Sequence, residues 1–132
     1  MRVALVTNPR AGKNRGVLAA ARAAAEFRRA GWEVTTQFTE CDQAAVRAAR
    51  QRAEEGFDAV LGCGGDGTLS QVLTGLLDTG VPGGIVPAGT GNDFARAIGL
   101  SRDPAVAARQ IIAGHTAYID LLQVNQGAFW SV

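Results

Sequence analysis

The sequence predicts an α/β fold: a mainly parallel, doubly wound sheet with helices on both faces. Three features lead there. Short apolar runs alternate with segments of helical period along most of the 132 residues. Turn residues, chiefly glycine, punctuate the alternation. The connections between runs are long enough for helical crossovers, which parallel neighbours need and hairpins do not.

Residues 2–7 (RVALVT) form a nearly continuous apolar run, as expected of a strand buried on both faces. Over 15–30, Val17, Leu18, Ala21, Ala24, Ala25 and Phe27 recur at near-helical spacing, and Gly31 is placed to stop that helix as its C-cap. Residues 33–38 (EVTTQF) are β-branched and short, 43–55 make an alanine-rich helix closed by Gly56, and 58–63 make another apolar strand. A helix over 68–77, a short strand over 84–86 and helices over 92–98 and 103–113 continue the order. In the last helix Asp103 is a good N-cap, Pro104 suits the first position and Gly114 ends it. The pattern then changes: 117–125 and 128–132 are β-rich, with Gln126-Gly127 as a tight hairpin between them. The sequence stops inside the second of these strands, where an open apolar edge would normally be covered. The expectation is one domain over 1–132, its terminal hairpin leading to a second, β-rich domain that the chain lacks.

Composition narrows the function. With 47% apolar and 19% charged residues the chain can build one core. A net charge of +1 gives no overall field for nucleic acid, and none to hold the protein on an acidic membrane. The basic residues are twelve Arg and one Lys, Lys13, which lies in a candidate loop. Cys41 and Cys63 stand 22 positions apart with no C-x-x-C pair, which indicates neither a disulfide framework nor a zinc site. No apolar stretch reaches the ~18 residues of a spanning helix and no leader pattern follows Met1. A cytoplasmic protein without a transmembrane segment is expected.

In open parallel sheets ligands bind beyond the carboxyl ends of the strands. The loops expected there are 8–14, 39–40, 64–68 and 87–93. In Gly64-Gly65-Asp66-Gly67-Thr68 the adjacent glycines allow positive φ and close approach of backbone N–H groups, and Thr68 then opens a helix whose free donors favour an anion. That is a phosphate cradle. A carboxylate such as Asp66 beside polyphosphate calls for an intervening cation or a donating hydroxyl, which points to Mg2+ and phosphoryl transfer. The string would arise by chance in about one chain of this composition in a thousand. The overlapping G-x-G-x-x-G from Gly62 is a poorer reading: it falls on the third strand, not the first, and no acidic residue lies between 81 and 90 to hold a ribose. Asn8 and Lys13 in the first loop are candidate nucleotide contacts. Gly89-Thr90-Gly91-Asn92 forms a second cradle with Asp93 in the following first turn. His115 reads as a solvated turn residue, Cys63 as core, and Trp32 and Trp130 as packing residues. Asp120 is an acid within the apolar run 118–122 and needs a reason.

Asn8-Pro9 with Gly12, Gly64-Gly65-Asp66-Gly67-Thr68, the segment from Pro87 to Ala95 and Ile119-Asp120 resemble, in order and spacing, the diacylglycerol kinase catalytic domain. Sphingosine kinases share this domain, and NAD kinases and phosphofructokinases share the Gly-Gly-Asp-Gly signature on a related fold. The resemblance implies ATP with Mg2+ as phosphate donor, held by Asn8, Thr39, the loop Gly64, Gly65, Asp66, Gly67, Thr68, and Thr90. Lys13 and Asn92 join the nucleotide-binding candidates by position. Asp66, Asp93 and Asp120 match family aspartates of a metal-and-water network, and so are the catalytic and metal candidates. The resemblance also implies that the general base and much of the lipid site belong to the absent second domain. One departure stands out: where the family shows Asn-Glu after the loop, this chain has Ser70-Gln71, which loses a negative charge. The expected activity is transfer of the ATP γ-phosphoryl group to diacylglycerol or a similar lipid at a membrane surface, by a cytoplasmic protein peripheral to the inner face. A homodimer is compatible with this reading. The alternatives are phosphorylation of a soluble acceptor such as NAD, and nucleotide binding without catalysis.

Overall fold

The structure is a computed structural model, and it describes residues 1–10, 14–41, 43–88, 91–114, 116–119, 121–124 and 129–131. Four strands form one sheet: β1 (Arg2–Thr7), β2 (Glu33–Phe38), β3 (Ala59–Gly64) and β4 (Gly83–Pro87), in the order β2-β1-β3-β4 and all parallel. The helices are α1 (Gly16–Arg29), α2 (Ala44–Glu54), α3 (Asp66–Leu76), α4 (Asp93–Ala97) and α5 (Pro104–Ala113). A separate antiparallel pair, β5 (Leu122–Val124) and β6 (Phe129–Ser131), follows, with β6 lying beside α3.

The sheet is covered on both faces, as the continuous apolar runs of β1 and β3 require. On one side Val3, Leu5, Leu61, Cys63 and Val86 pack against Ala20, Ala23, Ala24 and Phe27 of α1 and Ala108 of α5. On the other, Ala4, Val6 and Val60 meet Ala45, Ala48 and Ala49 of α2 and Val72 and Leu76 of α3. A smaller group, Leu69, Ile85 and Ala95, seats α4 against α3 and the end of the sheet. Alanine on the buried faces of α1 and α2 lets these helices lie close to the sheet. Phe27 provides the bulk at the far end of α1, stacked on Trp32 with ring centroids 5.1 Å apart.

The helix stops follow local chemistry. Gly31 and Gly56 both have φ of +86°, and in each case the N–H two residues past the C-cap reaches back into the last turn. Trp32 donates to the Phe27 carbonyl at 3.0 Å and Phe57 to that of Arg52 at 3.2 Å, which is the Schellman arrangement. At the start of α5 the Asp103 carboxylate accepts from the N–H groups of Ala105 and Val106, with Pro104 in the first turn, as the sequence predicts.

Two expectations change. The helix after the third strand begins at Asp66, not Thr68, so Asp66 and Gly67 belong to its first turn. Among the described residues of the β-rich run expected over 117–125, only Leu122–Val124 are strand, while Tyr118 and Ile119 are exposed and irregular. Residues 125–128, including the expected turn Gln126-Gly127, lie outside the described residues.

Candidate functional site

The register of the sheet sets the geometry. Thr7 is level with Phe38 on one side and Cys63 on the other, and Gly64 with Pro87, so the four strands end on one edge. From β1 the chain crosses to β2 in one direction and from β3 to β4 in the other. The reversal places a crevice between the carboxyl ends of β1 and β3.

The first and second loops are fastened to that edge. Asn8 Oδ1 accepts from the Arg10 N–H at 2.9 Å, an Asx turn that fixes the start of the loop. Gly16, opening α1, lies so close to the Asn8 carbonyl oxygen that any Cβ there would overlap it. Thr39 donates its N–H to the Thr7 carbonyl at 2.9 Å, joining the end of β2 to the end of β1. Asn8, Arg10, Thr39, Glu40, Cys41, Ala45, Thr68 and Gln71 line a cavity of about 140 Å3 at this junction.

The third loop is tighter than its sequence indicates. Gly65 is extended (φ −102°, ψ −164°) and caps α3 without a side chain. None of Gly62, Gly64, Gly65 and Gly67 has positive φ, so the expected left-handed conformation is not what these glycines supply. They supply room. A Cβ on Gly64 would stand 2.5 Å from Thr68 Oγ1, and one on Gly62 would stand 3.0 Å from Thr68 Cγ2 and 3.3 Å from Val72 Cγ2. Glycine at these two positions lets the first turns of α3 lie directly on β3. Gly67 instead has nothing within 4 Å of its Cβ direction, leaving the backbone of the first turn open.

The fourth loop is tied to the third. Ala88 donates to the Gly64 carbonyl at 2.9 Å. Asn92 is buried and left-handed (φ 48°, ψ 44°), and its side chain does not cap α4. Asp66 does that from across the edge: Oδ2 accepts from the Asp93 N–H at 2.9 Å and Oδ1 from the Phe94 N–H at 3.1 Å. Arg96 Nη2 donates to the Gly91 carbonyl at 3.0 Å.

The structure thus brings Asn8, Thr39 and Thr68 to one cavity, Asp66 into contact with the segment holding Asn92 and Asp93, and Gly64 into contact with Ala88 at the start of that loop. Lys13, Thr90, Asp120 and His115 lie outside the described residues. Among the described residues no three His, Cys, Asp or Glu side chains cluster as a metal cage. Cys63 is core, and burial pushes its thiol up to about 12 against the opposing influence of the Thr7 hydroxyl. Trp32 packs on Phe27, as expected. Arg10, Glu40, Cys41 and Gln71 were not singled out from the sequence as site residues. Gln71 had a usable signal: it lies three residues after Thr68, on the same helix face.

Comparison with known proteins gives this geometry a family. The model of the diacylglycerol kinase catalytic domain matches residues 2–124. The chain belongs to this family. A diacylglycerol kinase of Bacillus subtilis (strain 168) is 37% identical over 99% of the chain, and that of Mycobacterium tuberculosis (strain H37Rv) is 39% identical over 94%. The matches cover 44% and 40% of those two proteins, so the chain spans under half the length of these diacylglycerol kinase relatives. A crystal structure of a diacylglycerol kinase from Bacillus anthracis str. Sterne superimposes with a TM-score of 0.78 at 28% identity, over 91% of this chain and 42% of that one. Among the described residues of this family member, no helix is long and apolar enough to cross a membrane.

Proposed function

We propose that this chain is the nucleotide-binding part of an ATP-dependent lipid kinase that transfers the γ-phosphoryl group to the hydroxyl of diacylglycerol or a similar lipid at a membrane surface. The observation carrying this reading is the junction of the strand-end loops. Asn8, Thr39 and Thr68 face one cavity at the point where the strand order reverses, and Asp66 joins the third loop to the fourth. Family membership makes this the natural seat for a phosphate donor.

The groups present suit a magnesium-bound polyphosphate. The open first turn of α3 offers backbone donors around Gly67, and Arg10 adds a cation at the cavity wall. Lys13 and Thr90 are further proposed contacts. Asp93 and Asp120 are the carboxylates proposed for the metal, directly or through water, and Asp66, whose two oxygens accept from the Asp93 and Phe94 N–H groups, would meet it through water at most. With no three-ligand cage among the described residues, a cation would take most of its ligands from phosphate and water, the usual habit of Mg2+. Bound there, Mg2+ would neutralise charge on the transferred phosphoryl group. The chain itself binds and orients the donor: Asn8 and Thr39 are held by their loop hydrogen bonds, and Thr68 by its packing on Gly62 and Gly64.

Thin-layer separation of lipids after incubating the full-length protein with diacylglycerol vesicles and ATP labelled in the γ-phosphate tests the reading. A labelled phosphatidic-acid-type product is expected, and the 132-residue piece alone should bind nucleotide with little turnover. Label found in NADP and in no lipid would overturn the lipid acceptor. Nucleotide binding with no transfer at all would leave only a binding module.

A further inference from the structure

Asp66 lies where two helices begin. It occupies the first turn of α3, and its side chain reaches past that helix to the backbone of another. Both carboxylate oxygens accept from α4, one from Asp93 N–H at 2.9 Å and one from Phe94 N–H at 3.1 Å. α4 has no cap of its own: Asn92, in the cap position, is left-handed and makes no side-chain cap bond. The cap therefore comes from a residue 27 positions earlier in the chain. Gly91 is part of the same contact, because a Cβ there would stand 3.7 Å from Asp66 Oδ2.

We propose that Asp66 is a positioning residue: its carboxylate braces Gly91–Phe94 against the third loop, so that the two glycine loops meet a phosphate as one preorganised unit. The proposal rests on the phosphoryl-transfer reading for its functional meaning, although the brace itself needs neither nucleotide nor metal. The physical argument is one of alternatives. A carboxylate accepting two backbone N–H bonds has its plane and direction fixed by them, and those donors would be left unpaired if it turned to a cation. Without the brace, a five-residue helix with no capping side chain of its own has little to hold its first turn.

Two variants of the full-length protein separate this role from metal ligation. Asp66→Asn keeps one acceptor and turns an NH2 toward a backbone donor. Asp66→Glu keeps the charge and a metal-binding group but moves the carboxylate out by a methylene. Amide hydrogen exchange at residues 93 and 94, measured with chelator present and nucleotide absent, reads the brace directly. Exchange should rise about tenfold or more in both variants, the scale of losing one hydrogen bond to a charged group. In kinetics, both variants should raise KM for ATP about tenfold or more, with the Mg2+ concentration for half-maximal rate unchanged at saturating ATP. Unchanged exchange at both amides would overturn the proposal. So would a Glu variant of wild-type KM paired with an Asn variant whose Mg2+ requirement rises. If the wild-type protein transfers phosphate to no acceptor, the exchange result still stands, and it is the transfer reading that fails.

Discussion

Asn8 is held from both sides, by its own side-chain turn with Arg10 and by its carbonyl against Gly16. Placing a methyl at residue 16 gains some helix propensity, but the atom it meets is backbone and cannot swing aside. Overpacking of about 1–3 kcal/mol should outweigh a propensity gain of at most about 1 kcal/mol. Gly16→Ala should therefore lower the denaturant midpoint and weaken nucleotide binding together, since the clash displaces Asn8; unaltered affinity in a destabilised variant would separate Asn8 from the ligand. The two cysteines make a second contrast. Cys41 is exposed at the cavity wall, whereas Cys63 is buried with its thiol pushed up to about 12. At pH 8 a thiol reagent should modify Cys41 alone in the native protein and both residues in denaturant.

The helices carry predictions of a different kind. α2 and α3 approach each other at Gly75, where a Cβ would collide with the Val46 carbonyl and stand 2.9 Å from Ala49 Cβ. Gly75→Ala should cost about 1–3 kcal/mol by chemical denaturation, less the ~1 kcal/mol that alanine returns in a helix interior. A stabilised variant would mean that the two helices can separate without penalty. At the start of α5, the Val106 N–H, together with the Ala105 N–H and the Arg22 guanidinium at 3.1 Å, holds the Asp103 carboxyl below its ordinary value of 3.8 despite some desolvation. The folded pKa lies below the unfolded one. The stabilisation is therefore present above the unfolded pKa and is lost as pH falls through the folded value. The Tm difference between wild type and Asp103→Ala should be largest near neutral pH and shrink in acid below about pH 4; a difference independent of pH would mean the charge contributes nothing.

Across the whole molecule, the four loops act together only because the sheet is parallel and in register. A ligand seated among them as proposed would contact segments following several strands at once, so its binding free energy should appear as global stability. At about 100 times its dissociation constant, ATP with Mg2+ should add roughly 2.7 kcal/mol. Calorimetry with and without chelator checks this. A melting temperature indifferent to nucleotide would remove the site from the crevice.

Sequence by itself determined what local physics controls. Apolar runs marked β1, β3 and β4 and β-branched residues marked β2, Gly31 and Gly56 supplied the left-handed residue that ends a helix, Asp103 announced a cap, and the loop motifs fell at the carboxyl edge of the sheet. Each signal concerns backbone preference or hydrogen bonds a few residues apart. Tertiary structure decided the remainder. The third helix starts at Asp66 because Gly62 and Gly64 leave space for Thr68 and Val72 on the strand below. Cys41 and Gln71 meet Asn8 in one cavity only once the crossovers have been made. The partner of Asp66 belongs to the same class. A carboxylate can serve a cation or a backbone donor equally well as chemistry, and here the register of β3 beside β4 brings the N–H groups of Asp93 and Phe94 within its reach.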